Sequence, residues 1–313
     1  MRKAMAFSTS AVLALMSTAA TAETEQRSFG VSAGGRFVLD TDWGEVSVET
    51  WGRDAVDVVV ERSGKFEQLG FDEQDGTVTV RARKENQGLR GWFGSRGPSP
   101  VFRITVPARF DLDLRTAGGN MGIADIDGDI VAGTSGGKLA VGEVTGSVRA
   151  WTSGGSIRIA GADGSVDATT SGGSIRLARA GGPVNARTSG GTIWIGASQG
   201  PTVAHTSGGS IELGAVAGAI DARTTGGSIS ATLAEQPVGD SQLRTTGGSI
   251  GLVVAGDLKF EIDARTTGGR VSADLPNLAP VTVNKSVLEA PVNGGGPKLT
   301  LRTTGGSIRL GTL

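Results

Sequence analysis

The sequence predicts an all-β fold, a parallel β-helix (β-solenoid) built from 18-residue coils. The first observation is a strict repeat, in which a Thr-Ser-Gly-Gly phrase returns at a constant interval, the signature of a solenoid. The second is the alternation of apolar and polar residues between these phrases, which is typical of half-buried strands. The first glycines of the regular corners are Gly118, Gly136, Gly154, Gly172, Gly190, Gly208 and Gly226.

A single coil, residues 156–173, shows how the repeat makes strands. Ile157 and Ile159 alternate with polar residues in its first half, and Val166 and Ala168 do so in its second half. The two halves are similar and nine residues apart, which favours a flattened coil with two parallel faces. A three-faced section is also compatible with this pattern. Each coil is expected to lie on the one before it, so that equivalent residues form columns.

Stacking places like residues above one another in inward and outward columns. The inward columns are aliphatic, and a threonine column shares their parity, so its methyl groups are expected inside and its hydroxyls along the stack. The corner glycines are expected to allow either positive φ or the close approach of the next coil. The inward isoleucines are Ile157, Ile175, Ile193, Ile211, Ile229 and Ile250, and the threonines are Thr152, Thr170, Thr188, Thr206 and Thr224.

Divergent segments flank the regular coils. Phe37, Leu39 and Thr41 keep the inward spacing upstream, whereas the corner glycines downstream follow at longer and unequal intervals. Terminal coils are expected to cover sheet edges that would otherwise pair with other chains. The predicted organisation is a signal peptide at 1–22, divergent N-terminal coils or a cap at 23–114, the regular solenoid at 115–270 and C-terminal capping coils at 271–313.

The N-terminal segment, 1–22, predicts export. Arg2 and Lys3 precede an apolar run, and Ala-Thr-Ala at 20–22 supplies a small-x-small cleavage site. Without these two cations the chain has 28 of its 30 basic residues against 31 acidic ones, a net charge of −3. This charge does not favour nucleic acid as a partner. The absence of cysteine excludes disulfides and a lipidated cysteine. We expect an exported protein of the periplasm or cell surface, without a transmembrane anchor.

Three motifs resemble a known family. They are Val-Pro-Ala at 106–108 before Leu-Asp-Leu-Arg-Thr at 112–116, the serial Thr-Ser/Thr-Gly-Gly-Ser-Ile corners, and Asn-Gly-Gly-Gly-Pro at 293–297 before the last corner. They are similar to the bacterial "putative-adhesin" family, a β-strand-repeat domain of unknown function numbered 4097. The resemblance covers roughly residues 29–313. It implies a β-solenoid of the cell envelope, and it supplies no catalytic motif, metal ligand or cofactor-binding residue.

An outward column of arginines is the first candidate contact surface. These arginines precede the corner threonine and run beside outward aspartates, so exposed ion pairs worth about 0–1 kcal/mol each are one interpretation. Binding of sulfated or carboxylated glycans is the other. The predicted contact residues are Arg187, Arg223, Arg244 and Arg265, in a column that also holds Arg115 and Arg302 and is interrupted by Gly133, Trp151, Thr169 and His205.

Exposed aromatic residues form the second candidate contact surface. Trp92 and Phe93 lie in a glycine-rich loop, where an aromatic pair is costly unless it is covered. They are expected either to contact a partner or to fold back over the end of the coils. Trp151 and Trp194 point outward by parity but belong to opposite faces, so they do not form one platform for sugar stacking.

No catalytic, cofactor-binding or metal-binding residue is predicted. Asp167 and Asp221 are three coils apart, about 14 Å, whereas the acid pair of a glycosidase lies ~5–9.5 Å apart. His205 is the only histidine and is explained by its place in the arginine column. The acidic run at 125–129 lacks the nonapeptide of calcium-binding β-rolls and a bidentate glutamate.

These patterns favour a non-enzymatic, adhesin-like or structural protein of the cell envelope. It would present polar ladders to envelope polysaccharides or proteins, or associate with itself through the ends of the solenoid. Two alternatives remain open: a polysaccharide lyase or hydrolase built on a β-helix, and a regulatory partner protein in the response to envelope stress. Uniform coils without long insertions favour the first interpretation, because β-helix enzymes gather carboxylates and cations on long loops.

Overall fold

The computed structural model describes residues 23–62, 66–84, 99–279 and 282–313. These residues form two long sheets of 14 and 15 strands, and each regular coil contributes one strand to each sheet. The β-solenoid predicted from the repeat is confirmed, and its section is two-faced rather than three-faced. In the described part of the chain, no helix has the length and apolarity needed to cross a membrane.

Strands are numbered in chain order, and the two sheets are called A and B. Sheet A contains β1 (Glu23–Gly30), β3 (Glu45–Trp51), β4 (Ala55–Arg62), β7 (Val101–Pro107), β9 (Met121–Ile123), β11 (Leu139–Val144), β13 (Ile157–Ala162), β15 (Ile175–Ala180), β17 (Ile193–Ser198), β19 (Ile211–Val216), β21 (Ile229–Leu233), β23 (Ile250–Val254), β25 (Val271–Ala273) and β29 (Ile308–Thr312). Sheet B contains β2 (Arg36–Thr41), β5 (Phe66–Gln74), β6 (Thr77–Lys84), β8 (Asp111–Thr116), β10 (Ile130–Thr134), β12 (Val148–Thr152), β14 (Val166–Thr170), β16 (Val184–Arg187), β18 (Thr202–His205), β20 (Ile220–Arg223), β22 (Ser241–Arg244), β24 (Phe260–Thr266), β26 (Thr282–Val283), β27 (Val287–Val292) and β28 (Lys298–Thr303).

The middle of the rod, from β8 to β23, stacks in chain order with equivalent residues in register. Ile157 lies opposite Ile175, which lies opposite Ile193, and all three are buried. Val166 and Val184 form the facing wall in the same way. The core between the sheets is therefore a set of aliphatic columns, as the period-2 pattern predicts.

The corners are held by a threonine and two glycines with different roles. Thr170 Oγ1 donates to the carbonyl oxygen of Gly155 in the preceding coil at 2.8 Å, and Gly173 N donates to Thr170 Oγ1 at 3.4 Å. A methyl group on Gly173 would collide with the carbonyl oxygen of Gly155, whereas at Gly172 the nearest atom would be 3.5 Å away. Close approach therefore requires glycine at the second position only. The predicted inward threonines with hydroxyls along the stack are confirmed.

The C-terminal coil lies inside the stack rather than at its end. Strand β28 pairs with β22 on one side and β24 on the other, and β29 likewise lies between β23 and β25. Thr303 Oγ1 donates to Gly248 O, and Thr266 Oγ1 donates to Gly306 O, both at 2.6 Å. The expectation that each coil lies on the one before it is wrong here, because the coil formed last in the chain is inserted between two earlier ones.

The N-terminal end repeats this arrangement. Strand β2 lies between β6 and β8, and β3 lies between β7 and β9, so the first coil of the chain also lies one place in from the end of the parallel stack. Beyond these coils, antiparallel strands close both sheets at the N-terminal end, β4 and β1 in sheet A and β5 in sheet B. At the C-terminal end β27 and β26 close sheet B, whereas sheet A ends with the parallel strand β25. Phe37, Phe102 and Phe110 fill the wider N-terminal core.

Candidate functional site

The predicted arginines lie in one outward column on sheet B. The register runs from Arg187 through His205 to Arg223, Arg244, Arg302 and Arg265 on successive strands. Arg187 is thus separated from the others by His205. Chain order would place Arg265 directly beside Arg244, but the inserted C-terminal coil places Arg302 between them. The result is four arginines on four adjacent strands, here called the arginine run: Arg223, Arg244, Arg302 and Arg265.

Strand alternation turns these arginines outward. Their preceding residues, among them Ala222, Leu243 and Leu301, are fully buried in the core. Neighbouring strands lie about 4.8 Å apart, so four guanidinium groups repeat along the stack at nearly that spacing. Like charges directly opposite each other on neighbouring strands are destabilising. The arginine run therefore needs anions, from the chain or from a ligand.

The chain supplies anions at both ends of the arginine run. Asp221 Oδ1 accepts from Arg223 Nε at 2.9 Å, and Asp221 Oδ2 lies 3.4 Å from His205 Nε2. At the other end Asp263 accepts from Arg265 Nε at 3.0 Å. Sequence reasoning missed the acid beside His205, because that acid comes from the following coil and not from the same strand.

Asp263 is the most strongly perturbed carboxylate of this surface. Its burial would raise its pKa, but hydrogen bonds from Arg302, Arg265 and Lys298 outweigh that effect and lower the pKa to about 2. Lys298 Nζ lies 3.4 Å from Asp263 Oδ2. Asp263 therefore stays ionised at any physiological pH. A general acid of a glycosidase needs the opposite shift, a raised pKa.

Arg244, in the middle of the arginine run, has no such anion. Within the described residues, no carboxylate lies within ion-pair distance of its guanidinium group, and the side chain is exposed. The adjacent outward column holds Asp221, Gln242 and Thr300 on the three neighbouring strands, and its one acid, Asp221, is paired with Arg223. Arg244 is therefore a cation held among other cations and open to solvent.

A polar cleft of about 370 Å³ runs along this adjacent column. Its volume is within the range of small-molecule sites, about 300–1,000 Å³. It offers a carboxylate, an amide and a hydroxyl to solvent from Asp240, Gln242 and Thr300. The cleft is lined by residues from neighbouring coils, at 202–221, 240–242 and 300. Thr300 belongs to the inserted C-terminal coil, which therefore completes the cleft. The lining residues are Pro201, Thr202, Val203, Ala219, Ile220, Asp221, Asp240, Ser241, Gln242 and Thr300.

The exposed aromatic residues of the sequence analysis have different outcomes. Trp92 and Phe93 lie outside the described residues. Trp151 is on sheet B and Trp194 on sheet A, so the prediction that they occupy opposite faces is confirmed. The Trp151 indole covers Gly133, and the Arg115 guanidinium lies 5.9 Å from its ring centroid.

The acidic run at 125–129 serves the stack. Asp125 Oδ1 accepts from Glu143 N at 2.8 Å, and Asp129 Oδ1 accepts from Ser147 N at 2.7 Å, each contact reaching into the following coil. These aspartates therefore hold the next coil through its backbone. Among the residues that the structure describes, no three His, Asp or Glu side chains form a group that could hold a metal ion.

Comparisons with known proteins identify a family. The family model described as Toastrack DUF4097 matches residues 36–310. A comparison with curated proteins finds no significant match.

Several solved structures align over most of the chain. A "putative adhesin" from Parabacteroides distasonis is 9% identical with a TM-score of 0.37, covering 93% of this chain and 97% of its own. A "putative lipid binding protein" from the same species is 12% identical with a TM-score of 0.33, covering 92% and 96%. A "putative adhesin" from Bacteroides fragilis is 12% identical with a TM-score of 0.31, covering 93% and 97%. Their TM-scores are below 0.5, so no property of this chain is inferred from these structures.

Proposed function

We propose that this chain, which belongs to the Toastrack DUF4097 family, is an exported, non-enzymatic, adhesin-like β-solenoid that binds acidic polysaccharide of the cell envelope. The binding surface is the arginine run of sheet B with its polar cleft. The observation that carries the proposal is Arg244, an exposed cation without an anion of its own among the described residues, between two further arginines in register. The predicted signal peptide at 1–22 supports export.

The chemistry of the surface suits a chain of charged sugars. Guanidinium groups bind carboxylate and sulfate through paired, charge-assisted hydrogen bonds. The hydroxyls of the same sugars find acceptors and donors at Asp240, Gln242 and Thr300 in the cleft. Because the arginines repeat along the stack, a linear polyanion engages several of them at once, and each additional contact raises the overall affinity.

The carboxylates of this surface support a binding role. Asp221 is paired with Arg223, and the pKa of Asp263 is lowered to about 2. The lowered pKa of Asp263 is the opposite of the raised pKa of a general acid. The ion pairs of Asp221 and Asp263 order the surface and leave Arg244 as the cation that meets the ligand.

A binding assay with the mature chain, residues 23–313, tests this function. Immobilised alginate (carboxylated), heparin (sulfated) and dextran (neutral) are compared over a series of salt concentrations. Both acidic polymers are expected to bind. Added salt is expected to weaken binding, because salt screens the attraction between exposed charges more than about 8–10 Å apart at about 0.1–0.15 M, and over shorter distances at higher concentration. The double variant Arg223→Gln/Arg244→Gln should lose at least about tenfold in affinity, the effect of one or two charge-assisted hydrogen bonds.

The matched control is Arg149→Gln, an exposed arginine of sheet B outside the arginine run. Its Nε lies 3.9 Å from Asp167, so it loses at most one weak, exposed ion pair. Its affinity should stay within about twofold of the unmodified chain. Equal binding to dextran, or equal losses in the control and the double variant, would remove the arginine run as the site. Release of shortened polysaccharide would overturn the non-enzymatic assignment.

A further inference from the structure

We propose a second binding site, on sheet A, for an amphipathic anion: a free alkyl carboxylate. It lies on the face opposite the arginine run and does not depend on the function proposed there. The site is a shallow groove of about 390 Å³, within the usual size of small-molecule sites, about 300–1,000 Å³. The residues that form it are Gly122, Ile123, Ala140, Val141, Gly142, Arg158, Ile159, Ala160, Arg176, Ala178 and Trp194.

Small outward residues make the floor of this groove. On most strands of a solenoid, the outward positions carry long polar side chains. Here they carry Gly122, Ala140, Gly142, Ala160 and Ala178 on consecutive coils. The surface along the stack is therefore smooth and apolar over several strands, and an extended apolar body can lie along it in contact with methyl groups and backbone.

Two arginines stand at one end of the floor without an anion. Arg158 and Arg176 are directly opposite each other on β13 and β15, and both are exposed. Within the described residues neither has a carboxylate in ion-pair distance. The Arg176 guanidinium lies 4.1 Å from the ring centroid of Trp194, which holds this cation in place. Two adjacent like charges are destabilising, and an anion between them would relieve the repulsion.

The acids that border the groove are already engaged. Asp125 Oδ1, which lies against Gly142, accepts from Glu143 N at 2.8 Å. Glu143 crosses the glycine gap at Gly161 to reach Arg179, with Oε2 2.8 Å from Nη2. Asp163 Oδ1 lies 2.6 Å from Arg179 Nη1. These contacts raise the pKa of Arg179, the hydrogen bond that it donates to Asp163 being the largest cause and the one that it donates to Glu143 the next. Both carboxylates therefore serve Arg179, and the charge of Arg158 and Arg176 remains available to a ligand.

The lining favours an alkyl carboxylate over a sugar acid. Apart from the two guanidinium groups and the indole N–H, the lining side chains are aliphatic or absent. The carboxylate at the edge, Asp125 beside Gly142, already accepts from Glu143 N, so sugar hydroxyls would find few side-chain partners. A carboxylate bridging Arg158 and Arg176 satisfies both cations. From Arg158 the floor continues through Ala140 to Gly122, two strand spacings or about 10 Å. An alkyl tail lying there is removed from water.

Titration of the mature chain with decanoate, below its micelle concentration, tests this site. Acetate serves as the head group alone, glucuronate as a carboxylate on a polyol, and 1-decanol as the tail alone. The readout is the indole N–H resonance of Trp194, assigned with Trp194→Phe, together with calorimetry. Decanoate is expected to bind at one site, at least about tenfold more tightly than each of the three fragments, since both the charged and the apolar contacts are needed.

Variants separate this site from unspecific binding. Arg158→Gln/Arg176→Gln should weaken decanoate binding at least about tenfold. Ala140→Glu, an outward substitution that supplies an internal carboxylate beside Arg158, should abolish it while leaving the melting temperature near that of the unmodified chain. Arg309→Gln, an exposed arginine of the same sheet outside the groove, is the matched control and should bind normally.

Three results would overturn the proposal. They are glucuronate binding as tightly as decanoate, decanoate binding that is unchanged in Arg158→Gln/Arg176→Gln, and binding to acyl chains only in lipid vesicles. The alginate and heparin assay is run on the same variants. Loss of decanoate binding with polysaccharide binding retained would show that the two faces act independently.

Discussion

In the middle of the rod, residues 130–254, each coil lies on the coil that precedes it in the chain, whereas at each end a terminal coil lies one place in from the last. The local chemistry is the same in both regions. Thr170 bonds to Gly155 across neighbouring coils, and Thr303 bonds in the same way to Gly248, which is far from it in the chain. Identical corners can therefore join coils that are close or distant in the chain.

The placement of the terminal coils protects the ends of the solenoid. A terminal coil at the very end of the stack would expose a row of unpaired backbone groups and would fray. Here the coils made from residues 36–51 and 298–312 are covered on both sides. Antiparallel strands form the outermost layer of both sheets at the N-terminal end and of sheet B at the C-terminal end, where the short parallel strand β25 ends sheet A. Both terminal coils thereby gain two neighbours, which is the environment of a coil in the middle.

A buried charge in the inserted coil should have the largest effect on stability. Leu301→Asp places a carboxylate at a fully buried position, as Leu177→Asp does in the middle. Each should cost at least about 4 kcal/mol and abolish the cooperative melt followed by circular dichroism, because an unpaired charge enters the core. Leu313→Asp, at an exposed terminal position, is the control and should be neutral. Tolerance of Leu301→Asp alone would mean that the last coil is not inserted.

Alanine substitution at the second corner glycine should have the next largest effect on stability. Gly173→Ala in the middle and Gly306→Ala in the inserted coil each bring a methyl group against a carbonyl oxygen, of Gly155 and Gly248 respectively. A loss of roughly 1–3 kcal/mol is expected from overpacking, measured by denaturant unfolding. The control Gly172→Ala has ordinary space and should change stability by at most about 0.5 kcal/mol. Equal losses at Gly172 and Gly173 would contradict the role assigned to close approach.

Removing one corner hydroxyl should cost about 1–2 kcal/mol in either region. Thr170→Val and Thr303→Val keep the shape of the side chain but leave the carbonyl oxygens of Gly155 and Gly248 without that donor. Similar losses in the two variants, measured by urea unfolding, would confirm that the joint to a distant coil equals a joint in the regular middle. A much smaller loss for Thr303→Val would show a weaker joint.

Acidification should have the smallest of these effects on stability, through the contacts between Asp263 and the inserted coil. The pKa of Asp263 is lowered from 3.8 to about 2 in the folded chain, so its contribution to stability is present above about pH 4 and is lost as the pH falls towards 2. Asp263→Asn removes that contribution. The melting temperature of the unmodified chain should fall more steeply than that of the variant between pH 4 and pH 2. Parallel curves would show that Asp263 does not stabilise this end.

Much of the candidate site was predictable from the repeat. Arg223 and Arg244 are placed in one outward column by period-2 alternation and by their shared position before a Thr-Thr-Gly-Gly corner, and the structure confirms both. Arg302 was predicted in the column but not between Arg244 and Arg265, because its neighbour depends on which coil it joins. Asp240 and Thr300 were not predicted as neighbours, since they are distant in the chain and meet only through the inserted coil.

The sequence by itself determined the coil: its length, its two strands, its inward and outward columns and the glycine that each corner needs. These properties depend on contacts between one coil and the next and on the alternation of side chains, which are local. Only the tertiary structure decided the order in which the coils stack. The corners at Thr170 in the middle and at Thr303 in the inserted coil carry the same threonine and glycines, so these joints alone do not distinguish a near neighbour from a distant one. The order is set by covering both ends of the rod, which is a property of the whole chain.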